Sequence, residues 1–122
     1  MILADTSIWI DYLRGNRQQM QSLLTNGQIL MHPFVVAEVS LGSLKNRKRT
    51  FALMESLLEI KVAELREVRH MIEAHQLYSR GIGLTDAHFI ASCLINPGVS
   101  LWTRNARLRQ IAAALGIDAN LP

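Results

Sequence analysis

The chain has 122 residues, 49% of them hydrophobic and 19% charged, with a net charge of +3. That length holds one ordinary domain, taken here as residues 1–122, whose core buries roughly two-thirds of the unfolded surface; disulfides are not required, and no stretch is polar enough to stay disordered. No apolar run approaches the ~20 residues of a membrane span and no charged leader precedes the first one, so a soluble, cytoplasmic protein with no membrane partner is expected.

Residues 2–4 read as a short strand, and Thr6 to Leu13 as a helix with Ile8, Trp9, Tyr12 and Leu13 on one face and Gly15 as its stop. A second helix carries Met20, Leu23 and Leu24 and ends at Asn26-Gly27. QILMH is the next strand, and Pro33 suits the first position of a helix through Phe34, Val35, Ala37, Glu38 and Leu41, where its missing N–H would have no partner anyway. After the basic cluster KNRKR, Phe51, Met54, Leu57 and Leu58 form a helical stripe. IKVAEL reads as a strand or transition, and Val68, Met71 and Ile72 mark another helix, with His75 in register as a partly buried, satisfied histidine. Thr85 is placed to cap the helix DAHFIASCLI, in which Cys93 reads as a core residue and His88 points away from Asp86. GVSLWT is a strand introduced by Pro97-Gly98, and Leu108, Ile111, Ala112 and Leu115 form a last helix closed by Gly116. Short apolar strands between helices imply an α/β fold with a mainly parallel sheet covered on both faces, whose functional residues gather at the strands' carboxyl ends.

Three carboxylates stand in apolar surroundings. Asp5 ends the first strand, Glu38 is the one charged side chain in PFVVAEVSLGS, and Asp86 sits in the first turn of an otherwise apolar helix. Each has an ordinary explanation: a cap, a partner of the helix dipole, an exposed residue on one helix face. Convergence of all three would require a cation, because like charges repel. A hard divalent ion suits carboxylate oxygens and retains waters that a substrate phosphate can replace. Zinc suits them less, since Cys93 and the scattered His32, His70, His75 and His88 show no ligand spacing. The cations form two groups, Lys45, Arg47, Lys48 and Arg49, then Arg104, Arg107 and Arg109; a solvated surface and a phosphate-contacting surface are equally open readings of both.

LADTSIWIDYL, VVAEVSLG, LTDAHFIAS and LWTRNARL, in this order through essentially the whole chain, resemble the PIN-domain ribonucleases, and most closely the VapC-type toxins of bacterial toxin–antitoxin pairs. The resemblance implies a three-layer α/β/α sandwich around a mainly parallel sheet and a metal-dependent endoribonuclease using Mg2+, with Mn2+ as a substitute. Carried over by residue, Asp5, Glu38 and Asp86 match the family's metal-binding acids, with Glu38 either a ligand or bound through water, and Thr6 or Ser7 matches the hydroxyl that orders the site. Thr103 and Asn105 stand at the last strand end, where many relatives carry an acid in place of Asn105, so one metal ion rather than two is expected. Arg104, Arg107 and the KNRKR cations are candidates for phosphate or RNA contacts. The resemblance also implies a homodimer and an inhibitory antitoxin, for which Trp9, Tyr12 and Leu41 offer apolar surface unless the core takes them. A non-catalytic RNA- or protein-binding module and an RNA-processing nuclease without an antitoxin are the alternatives.

Overall fold

The computed structural model describes residues 1–16 and 18–122. Their elements run β1 (Ile2–Ala4), α1 (Thr6–Leu13), α2 (Gln18–Thr25), β2 (Ile29–Leu30), α3 (Pro33–Ser40), α4 (Arg47–Ser56), α5 (Leu65–Ala74), α6 (Leu84–Ile95), β3 (Ser100–Trp102) and α7 (Ala106–Ala114).

The strands are parallel in the order β2-β1-β3, with Ile2 opposite both Ile29 and Ser100. Successive strand residues point to opposite faces, and Leu3 and Ala4, like Leu101 and Trp102, are all buried. Both faces are therefore covered, as the α/β/α sandwich requires. The chain pairs β2 on one side of β1 and then crosses to place β3 on the other. The carboxyl ends of β1 and β3 thus flank the topological switch point, where open α/β sheets form their crevice. The Asp5 N–H extends the ladder by donating to the Trp102 carbonyl at 3.0 Å.

Trp9 and Tyr12 belong to the core, packed edge to face with ring centroids 5.7 Å apart, so the partner surface they offered in sequence is closed; Leu41 is 88% exposed. A second cluster ties α3 to α6. His32 is wholly buried, its Nδ1 accepts from the Phe34 N–H at 3.0 Å as the N-cap of α3, and its Nε2 meets the Ser92 hydroxyl at 3.1 Å. The same hydroxyl accepts from the Ala63 N–H at 3.1 Å, and the Phe34 ring lies 4.4 Å from that of His88. Cys93 is buried, which pushes its thiol up to about 12.

Three local readings are corrected and one open reading is resolved. α4 begins inside the basic cluster and ends at Ser56, leaving Leu57 extended and Leu58 exposed. Of the two readings of 60–65, strand or transition, the structure takes the transition, with a lone parallel bridge joining Met31 to Glu59 just before it. His75 is exposed at the C-terminus of α5. Thr85 lies inside α6, whose N-cap is Gly83.

Candidate active site at the carboxyl edge of the sheet

A strand end, two helix starts and one helix flank bring the sequence-singled acids to the same edge. Asp5 is 3% exposed. Its Oδ1 accepts from the Ile8 N–H at 3.1 Å, making it the N-cap of α1, and the Ser7 N–H also faces its carboxylate. The Thr103 hydroxyl, 1% exposed at the end of β3, completes this cradle and favours the charged form. Burial outweighs these contacts, so the Asp5 carboxyl is held above its ordinary value, with the nearby Asp86 charge adding to the effect.

Asp86 is half-buried in the first turn of α6, three residues past the N-cap, and its carboxylate accepts from the Gly83 N–H. It too is raised, first by burial and then by the charge of Glu38. Glu38 is exposed on α3 and is tethered from α1, where Thr6 Oγ1 donates to its Oε1 at 2.5 Å. The acids thus form a graded series from buried Asp5 through half-buried Asp86 to exposed Glu38, with Asp86 coupled to both others. Among the described residues, no group of three or more His, Cys, Asp or Glu side chains makes a ready metal cage. The three acids therefore share the edge as a coupled row rather than as a ready cage.

The other singled-out residues separate by role. Asn105 is the N-cap of α7: its Oδ1 accepts from the Leu108 N–H at 3.1 Å, while its own N–H donates to Thr103 Oγ1 at 3.1 Å. Arg104 does not stand free for a phosphate. Its Nη1 contacts Asp11 Oδ2 at 2.5 Å, and its Nε donates to the Pro122 carbonyl at 2.9 Å. Arg107 lies across Gly81, where an added Cβ would come within 2.5 Å of Nη1, a contact the flexible guanidinium could yield; the φ of +77 is what favours glycine there. Arg109 pairs with Asp118 at 3.4 Å. The His32–Ser92–Ala63 network was not visible in sequence, because its members lie far apart in the chain and no spacing rule links them.

The described residues contain no helix long and apolar enough to cross a membrane. A family model described as PIN domain matches residues 2–114. Two relatives, Ribonuclease VapC32 of Mycobacterium tuberculosis strain CDC 1551 / Oshkosh and of strain ATCC 25618 / H37Rv, are each 36% identical to this chain over 117 residues, 96% of this chain and 94% of theirs. With a family match across nearly its whole length and relatives of equal extent, the chain belongs to the PIN-domain family and, within it, to the VapC-type proteins.

Proposed function

We propose that this chain is the toxin of a toxin–antitoxin pair, an endoribonuclease that hydrolyses RNA phosphodiester bonds at the row Asp5, Asp86 and Glu38. The observation that carries the reading is this row itself, placed at the switch point of the sheet with two of its carboxyls held above their ordinary values.

The donors fit a hard divalent cation. They are carboxylate oxygens with mutually repelling charge, a donor chemistry that suits Mg2+ and its retained waters, with Mn2+ as a substitute. Asp5 and Asp86 would hold it, and one ion rather than two suits a site where Asn105 brings no charge. Bound there, the cation supplies a more acidic water and positive charge against the scissile phosphate. Asp5 is fixed by Ser7, Ile8 and Thr103 and so cannot swing away. Glu38 keeps one oxygen on Thr6 and presents the other to solvent, where it orients the attacking water and receives its proton. A single domain over residues 1–122, a homodimer, a cytoplasmic setting and a cognate antitoxin covering the row complete the reading.

The test is cleavage of total cellular RNA by the purified chain with Mg2+ or Mn2+, with chelator, and with Asp86→Asn. Metal-dependent cuts that disappear in the variant support the nuclease, and absence of cleavage by folded, antitoxin-free protein moves the reading to a binding module. Growth arrest on expression of the chain alone, relieved by an antitoxin that co-purifies with it, separates the toxin from a processing nuclease.

A further inference from the structure

The cations of KNRKR do not share one environment. Arg47 is engaged with the backbone: Nη1 donates to the Gly42 carbonyl at 3.1 Å, Nη2 to the Ser40 carbonyl at 3.0 Å, and its guanidinium lies 5.2 Å from the Phe51 ring centre. It straps the turn between α3 and α4. Lys45 and Arg49, by contrast, line a groove of about 800 Å³ between the ends of α1 and α3 and the first turns of α4. Arg14 lines it from the α1 side, and Lys48 is not among its walls.

Among the described residues, the charged groups of Arg14, Lys45 and Arg49 enter no ion pair or hydrogen bond. Glu38 is the one acid in the groove's lining, so the groove joins three uncompensated cations to the outer end of the acidic row. Leu13, Leu44 and Leu53 add apolar surface between them. Positive groups on the walls with apolar surface between them match a flexible polyanion that carries flat bases, which is the chemistry of single-stranded nucleic acid.

We propose that this groove is the path by which single-stranded RNA enters the site, with Arg14, Lys45 and Arg49 on its phosphates. The inference rests on the ribonuclease reading and adds to it the residues that hold the strand. Lys48 and Arg47, from the same cluster, take no part in strand binding.

The experiment measures binding of a labelled single-stranded RNA to the full chain in chelator, across a range of salt concentrations. Each neutralised phosphate contact contributes about 0.7 to the slope of log affinity against log salt on single strands. Arg14→Gln, Lys45→Gln and Arg49→Gln each lower the slope by about 0.7 and the triple variant by about 2, whereas Lys48→Gln leaves it unchanged. If the triple variant fails to fold, the single variants carry the test. Equal loss in Lys48→Gln and Arg49→Gln, an undiminished slope in the groove variants, or a groove that captures a protein segment but no RNA overturns the proposal. Cleavage by the wild type separates the two readings. Metal-dependent cuts without a groove effect overturn the path alone, while a groove effect without cuts supports the path and overturns the nuclease.

Discussion

Thr6 on α1 holds Glu38 on α3 through a 2.5 Å hydrogen bond, so the most exposed of the three acids is positioned from a different element than its own. Thr6→Val keeps the side chain's shape and removes the donor. The bond is solvent-facing, so unfolding stability changes by about 0.5–1.5 kcal/mol at most. RNA cleavage falls by roughly tenfold if Glu38 must be held still for proton transfer, a modest part of what such transfer contributes. Unchanged cleavage rates in Thr6→Val would remove Glu38's orienting role.

The acidic row works against the fold. Asp5 and Asp86 both have carboxyls raised in the folded state, so the fold prefers their protonated forms. The stability this lends at low pH is lost as pH rises through the folded values, and at neutral pH the charged pair is a burden. Asp86→Asn is therefore expected to unfold at the same temperature as the wild type or higher at pH 7.5, while cleavage falls by ~100-fold or more. A cation that binds the folded row reverses the burden, by about 2.7 kcal/mol at a concentration of ~100 times Kd. Thermal scans with and without Mg2+ check this: the wild type rises on adding the ion, and the variant stays nearly where it was.

His32 gives the opposite pH response. Burial, with a smaller contribution from His88, lowers it to about 4, so the folded chain keeps the ring neutral while the unfolded chain takes up a proton near 6.5. Stability is fully present above pH 6.5 and is lost as pH falls toward about 4, by roughly 3 kcal/mol in all. His32→Asn keeps an N-cap acceptor but cannot take up this proton. Urea unfolding across the interval is expected to show the wild type's advantage over the variant shrinking as pH drops.

Asn105 offers a substitution in the direction of added charge. As an N-cap, Asn and Asp are nearly equivalent, so Asn105→Asp alters stability little, whereas Asn105→Ala costs about 1 kcal/mol. If the row reaches this far, Asn105→Asp tightens divalent-ion binding, read by calorimetric titration. Unchanged affinity would confine Asn105 to its cap.

The carboxyl-edge acids were legible in sequence because each broke a pattern: Asp5 ended an apolar run, Glu38 interrupted one, and Asp86 opened one. What periodicity could not give was their relative depth. Glu38 has nearly the same apolar neighbours in sequence as Asp86, yet it lies on the outward flank of α3 and is exposed. Caps were misread for a related reason. Asp86 reaches back to the Gly83 N–H, so a residue inside the helix does the capping that Thr85 was expected to do. The basic cluster carried no signal of its division, because only the fold turns Arg47 onto the Ser40 and Gly42 carbonyls and leaves Arg49 facing a groove.

The strand order carries a consequence for the order of synthesis. β1 emerges before the other strands yet sits at the centre of the sheet, and β3, its partner in the Ile2 to Ser100 register, emerges last. Asp5 cannot gain Thr103, nor the crevice its second wall, until the ribosome has made nearly all of the described chain. Pairing so distant in sequence is slow to form, and a chain shortened before β3 is expected to show no RNA cleavage, which assay of that truncation checks. The cradle around Asp5 is therefore expected to form only once β3 has been made and has paired with β1.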